Sequence, residues 1–281
     1  MAALADTLAL FVRSAGGWVF AGVWGALWGS FFNVAIHRVG LYESVVRPRS
    51  RCPKCGHAIS AADNIPILSW LLLGGRCRRC RDPISVRYPL VEALTALLAL
   101  GVWWRFVALS AVDGVDPVWL LARFFYYFAF VGTLLVLGGI DLDHLLLPDQ
   151  ITYPAIPIFL VAGILVGEVP ALDRLIGAVL GYGLVALTAE LSYLILRREG
   201  MGYGDAKLLA LCGAAFGWRG VLVVFFGAPF MGLVVVPPLL LWRRRKVMGV
   251  EIPYGPFLVV AALAYVYAGH LLPAPLTFTA P

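Results

Sequence analysis

What this sequence has little of is charge. Of its 281 residues only 14% are Asp, Glu, Lys or Arg, while 61% are hydrophobic and the mean hydropathy is +0.88. Soluble domains run at about 25% charged and about 45–50% apolar, so a soluble globular domain is excluded and the chain reads as an integral membrane protein. It also lacks a basic patch interleaved with aromatics. The net charge of +6 is therefore read through membrane topology, and no nucleic-acid partner is expected. No cationic leader precedes the first apolar stretch, about Leu8 to Ile36, which is also too long for a signal core, so this end does not read as a cleaved signal. Cysteine is scarce: there are five, four of them in two Cys-x-x-Cys pairs, with Cys212 alone in an apolar run as a small core residue.

Apolar runs of roughly the length that crosses a bilayer, about 20 residues, occur near 10–36, 88–108, 118–140, 150–167, 173–196, 206–219, 221–242 and 254–272. The expected fold is an all-α integral membrane protein with about eight transmembrane helices. Its organisation is a first transmembrane helix over 1–36, a cytoplasmic segment over 37–87 and a polytopic membrane body over 88–281. Orientation follows from the cations, which collect on the cytoplasmic side. With the N-terminus outside, 17 of the 22 Lys and Arg fall on that side: ten in 37–87, then Arg197, Arg198 and Lys207, then Arg243, Arg244, Arg245 and Lys246. The loop Val112–Pro117 has acids and no Lys or Arg, as an outer face should.

Segment 37–87 holds Cys52-Pro-Lys-Cys55 and, after 21 intervening residues, Cys77-Arg-Arg-Cys80. This is zinc-ribbon spacing: each pair can place two thiolates on one side of a tetrahedral ion. A reducing cytoplasm disfavours disulfides. The expected occupant is a structural Zn²⁺ on Cys52, Cys55, Cys77 and Cys80, with a redox pair or an iron site as the other readings. Four cysteines close the coordination sphere, so the site is assigned to folding and not to catalysis. Between the pairs, Ile65–Leu73 is too short to span and is expected at the membrane interface with Trp70 at headgroup level. The Lys and Arg of this segment are expected to meet anionic lipid.

The remaining acids are few enough to consider singly. Asp205 lies in Gly200-Met201-Gly202-Tyr203-Gly204-Asp205-Ala206-Lys207, where a glycine-rich turn that another chain could approach closely runs into an apolar helix. A carboxylate inside such a segment costs about 2.5–3.5 kcal/mol on insertion scales, although the same residue could serve as an ordinary helix cap. Asp141 lies in Gly138-Gly139-Ile140-Asp141-Leu142-Asp143-His144-Leu145-Leu146-Leu147-Pro148-Asp149, in a last helical turn where the macrodipole disfavours a negative charge. That disposition suits a proton donor. Asp143 and His144 read as nearer water, Asp149 as a helix N-cap, and Glu92 as half of a structural ion pair. Glu190 has no evident partner and is left open between a structural role and a polar cavity.

By the topology above, Asp141 and Asp205 end up on one face of the membrane. Two such charges about 4 Å apart repel by about 4 kcal/mol at an effective dielectric near 20, so near neutral pH the pair is expected to share one proton. The ionised member can take a proton from water as it attacks a carbonyl, and the protonated member can stabilise the oxyanion. This is aspartic-protease chemistry and needs neither a metal nor a Ser or Cys nucleophile.

GMGYGDAKLL, IDLDHLLLPD, CPKC…CRRC, Gly29–Arg38 and Ile252–Phe257 together resemble the bacterial type IV prepilin leader peptidases, polytopic GxGD-type aspartic proteases, over about residues 25–260. The resemblance makes 88–281 the protease domain and puts the catalytic pair on Asp141 and Asp205. It implies type IV prepilins or type II secretion pseudopilins as substrates, cut after a Gly on the cytoplasmic side of the bacterial inner membrane. It also implies N-methylation of the new terminus with S-adenosylmethionine, although no glycine-rich nucleotide loop occurs in 37–87 to mark a cofactor site. From another class, a proton- or cation-coupled transporter would line one path with Glu92, Glu190, Asp141 and Asp205. No inverted repeat supports it, and Asp141 and Asp205 lie at one face and not at midplane.

Overall fold

In a bilayer every backbone amide must be satisfied within its own segment, which leaves helices as the outcome for long apolar runs. A computed structural model describes residues 2–111, 115–166, 169–197, 201–242 and 254–277, and among them there are helices and isolated bridges but no strand. The helices are α1 (Ala2–Arg13), α2 (Ala15–Gly40), α3 (Leu68–Leu72), α4 (Arg87–Trp103, extended by a π turn to Ala108), α5 (Pro117–His144), α6 (Asp149–Val166), α7 (Ala171–Leu196), α8 (Tyr203–Trp242) and α9 (Gly255–Ala268). Local chemistry sets several starts. Ser14 accepts from the Gly16 N–H at 3.1 Å to cap α2, and Asp116 accepts from Val118 at 2.9 Å ahead of Pro117 at the start of α5.

Six of these helices are long and apolar enough to cross a membrane: α2, α4 with its π turn, α5, α6, α7 and α8 as far as Val235. The chain is thus a multi-pass membrane protein of all-α class, and the expected eight segments are redistributed. Segments 206–219 and 221–242 run on as α8, broken at Gly217, whose φ of 79° and ψ of −178° are not helical. The last segment gives only a shorter apolar helix, Gly255–Leu271. Arg198, Gly200, Arg243–Lys246, Ile252, Pro253 and the centre of the acidic loop, 112–114, lie outside the described residues.

Two compact units are present, Met1–Gly132 and Thr133–Pro281. In the first, α2 and α4 touch backbone to backbone: a Cβ on Gly25 would lie 2.7 Å from Ala96 Cα, and one on Gly29 2.7 Å from Glu92 Cα. Such close approach through small residues is how helices bind where lipid removes the hydrophobic drive. In the second unit, α7 and α8 meet in the same way, with Gly177 against Gly213 and Gly217. Arg174 is fully buried there and donates to the carbonyls of Ala214 (3.1 Å) and Ala215 (2.7 Å), directly before the break in α8. The carbonyls that the kink releases from the helix ladder are thereby satisfied.

Candidate active site

Asp205 and Asp141 both belong to the second unit, and both are buried. Asp205 is in the first turn of α8, where its Oδ2 accepts from the Gly202 N–H at 3.4 Å while its own N–H donates to the Gly202 carbonyl at 3.1 Å. The carboxylate therefore bonds back from inside the first turn to the residue before the helix, and Asp205 is not itself the N-cap. It is also within electrostatic range of Asp141, which a simple cap does not require. Gly204 is small for reasons of space and not of φ: a Cβ there would lie 3.1 Å from Leu147 Cβ, so the chain that approaches here is the stretch following Asp141.

Asp141 is in the last turn of α5. Its Oδ2 is buried without a hydrogen-bond partner among the described residues, although the Gly255 backbone amide lies beside the carboxyl. Leu145, at φ 54°, turns the chain out of α5 and donates to the Asp141 carbonyl at 2.9 Å. The third motif is explained by the same geometry. Gly255 opens α9 directly against Asp141, where a Cβ would lie 2.5 Å from Oδ2, and Tyr254 is within electrostatic range of Asp205. Three stretches distant in sequence thus meet at one pair of carboxylates.

Sequence reasoning missed one contact here. Lys207 Nζ forms an ion pair with Asp149 and lies 4.6 Å above the Tyr153 ring. Asp149 does open α6, but its carboxylate ties the first turn of α6 to the first turn of α8. The sequence carried no signal for it beyond the opposite charges of Asp149, read as a helix N-cap, and Lys207, read as a cytoplasmic cation. Glu190, left without a partner in the sequence, is exposed and accepts from the Tyr203 hydroxyl at 2.8 Å. Asp143 is exposed and His144 half-buried, as expected. Glu92 differs from expectation: it is buried, accepts from the Ile67 N–H at 2.7 Å and lies against the Ser30 hydroxyl, and no Lys or Arg forms an ion pair with it among the described residues.

The four predicted cysteines converge in the first unit, their Sγ atoms all within 4.8 Å of one another. Two matching turns present them. In one, Gly56 at φ 68° donates to the Cys52 carbonyl; in the other, Arg81 at φ 60° donates to that of Cys77. Lys54 bridges the turns to Asp82 at 3.0 Å. A tetrahedral ion with metal–sulfur bonds of about 2.3 Å separates its sulfurs by about 3.8 Å, and Cys52 and Cys80 stand 3.7 Å apart. The cluster could hold a metal ion. Beside it, the segment's short helix α3 exposes Leu68, Leu71 and Leu72, while the Trp70 indole donates to the Ile84 carbonyl at 3.1 Å.

Comparison with known proteins agrees with both units. Residues 23–106 match the Bacterial Peptidase A24 N-terminal domain, and residues 128–236 match the Type IV leader peptidase family. A protein of Aeromonas salmonicida (strain A449) named prepilin leader peptidase/N-methyltransferase is 39% identical over 83% of this chain and 84% of its own. Proteins of the same name are 37% identical in Pseudomonas putida, over 86% of this chain and 87% of theirs, and 42% identical in Myxococcus xanthus (strain DK1622), over 77% and 61%. No solved structure matches the chain. With buried carboxylates at the ends of α5 and α8 and relatives matched along most of its length, the chain belongs to the type IV leader peptidase family.

Proposed function

We propose that this protein is a membrane aspartic endopeptidase that removes the leader of type IV prepilins or type II secretion pseudopilins, with Asp141 and Asp205 as its catalytic pair. The observation that carries the reading is that they lie within one unit, buried and within electrostatic range, with one carboxyl oxygen of Asp141 making no hydrogen bond among the described residues. An ionised member of the pair takes the proton of the attacking water. Its protonated neighbour donates to the oxyanion and then to the departing amine. A prepilin with a basic leader ahead of an apolar helix would lie in the inner membrane with its scissile bond near headgroup depth. The cation distribution favours an outer N-terminus and catalysis on the cytoplasmic side.

The names of the relatives extend the reading to N-methylation of the new N-terminus with S-adenosylmethionine. Zn²⁺ is the ion that the four cysteines suit, because four thiolates gathered within 4.8 Å of one another can close its tetrahedral coordination sphere. Its role is to fold the segment. A transporter reading loses ground: Glu190 is exposed on a tyrosine hydroxyl, and Asp141 and Asp205 lie at helix ends.

The test is co-expression of the Asp205→Asn protein with a prepilin. Cleavage should vanish while the protein accumulates normally; continued processing would remove Asp205 from the mechanism.

A further inference from the structure

The motif around Asp205 carries a second charged residue that proton transfer by the two carboxylates does not use. Lys207 follows Asp205 by two positions. Its ammonium pairs with Asp149, the first residue of α6, and lies 4.6 Å above the ring of Tyr153, one turn further along that helix. An ion pair in open water contributes little. This one is sheltered on the lysine side: 13% of the Lys207 side chain is exposed, against 58% for Asp149. An ammonium withdrawn from water has to be compensated, and the carboxylate and the aromatic face do so together. Nothing in α8 itself favours a cation there, because the positive end of the macrodipole lies at the same end.

The need for such an anchor lies in the approach to α8. Gly200, Gly202 and Gly204 lead into the helix, and a glycine-rich backbone does not hold a position by itself. The hydrogen bonds of Asp205 run back to Gly202, so they shape the first turn without fixing its place against α5. Residues four apart on a helix share a face, and residues two apart do not. Lys207 therefore shares its face with Tyr203, whose hydroxyl donates to Glu190 of α7 at 2.8 Å. Asp205 projects from another face, within electrostatic range of Asp141. The opening of α8 is thus tied to α6 and α7 from one side and presents its acid from another.

We propose that Lys207 is a positioning residue for leader cleavage: its contacts with Asp149 and Tyr153 hold the first turn of α8 where Asp205 can act on the same water as Asp141. The inference rests on the reading of Asp141 and Asp205 as the catalytic pair. In this role Lys207 touches neither the substrate nor the reacting atoms. It acts through the backbone of the turn, two residues from the carboxylate, and small misplacements of a reacting group are costly. Its loss therefore falls on the chemical step and not on substrate binding.

The experiment uses the full-length protein in nanodiscs with a purified prepilin, and measures kcat and KM separately for Lys207→Met, Lys207→Arg, Asp149→Asn and the Lys207→Met/Asp149→Asn double variant. Lys207→Met is expected to lower kcat by about tenfold or more and to leave KM within about threefold. Asp149→Asn and the double variant should fall to the same level, because the two residues act as one unit. Lys207→Arg keeps the charge and can stack on Tyr153, so it should retain most of the activity. A raised KM at unchanged kcat would make Lys207 a substrate contact and overturn the proposal. So would a wild-type kcat in Lys207→Met, a loss in Lys207→Arg as large as in Lys207→Met, or a double variant well below both singles. Melting temperature and elution report on folding. If Lys207→Met does not accumulate, Asp149→Asn decides, since Asp149 is the more exposed partner, and a wild-type kcat there would overturn the proposal equally. Asp205→Asn is assayed alongside. Cleavage by that variant would remove the catalytic reading together with the inference, whereas an inactive Asp205→Asn beside a fully active Lys207→Met would remove the inference alone.

Discussion

Gly255 and Asp141 are packed so closely that a single added carbon would not fit between them, since a Cβ on Gly255 would lie 2.5 Å from Asp141 Oδ2. The glycine is there because the backbone at the start of α9 forms one wall around a buried carboxyl. Gly255→Ala is expected to displace the Asp141 carboxyl by a fraction of an ångström and to lower the rate of leader cleavage by about tenfold or more, since small misplacements of reacting groups are costly. Single-turnover cleavage with purified protein measures this. A variant as fast as the wild type would mean that the carboxyl tolerates the shift.

Asp141 and Asp205 act as one unit if they share a proton. Groups of that kind give losses that do not add. Asp141→Asn, Asp205→Asn and the double variant should therefore show the same residual cleavage within about threefold. A double variant far below both singles would point to independent roles.

The cysteine cluster makes a prediction in pH. Backbone N–H groups of Cys80 and then Arg79 hold the Cys77 thiol down to about 7, against an ordinary value of 9.0. A depressed value means that the thiolate contributes to the folded turn above the unfolded value and that this contribution is lost as pH falls through about 7. Metal ligation requires that thiolate. Metal-stripped protein loaded with Co²⁺ should show sulfur-to-metal absorption at pH 8 that fades on titration below 7. An absence of that absorption at pH 8 would contradict the four-thiolate site.

Stability of the second unit should hinge on Gly177. A Cβ there would lie 2.5 Å from Gly217 C and 2.8 Å from the Gly213 carbonyl oxygen, so nothing flexible can give way. Gly177→Val is expected to force α7 from α8 and to cost about 1–3 kcal/mol or more, the range for overpacked cores. Thermal unfolding in detergent and the yield of membrane-inserted protein would report it, and an unchanged melting curve would show that the two helices can separate freely.

The sequence by itself determined the class of the protein and its candidate chemistry. Fourteen per cent charge and long apolar runs leave only membrane helices, because hydrocarbon offers backbone groups no other partner. The spacing of Cys52, Cys55, Cys77 and Cys80 announced a tetrahedral cluster, since each short pair fixes its own turn. Asp141 and Asp205 stood out because so few acids interrupt the apolar text. What the sequence could not settle was anything decided by one helix against another. That Glu190 has a tyrosine partner, that Lys207 pairs with Asp149, that Glu92 pairs with no cation among the described residues, and that Gly204 and Gly255 are small to admit Leu147 and Asp141 all depend on residues far apart in the chain. Gly217 ends one apolar helical run and begins the next in the structure as in the sequence; what the sequence could not show is that the buried Arg174 from α7 satisfies the carbonyls before that break.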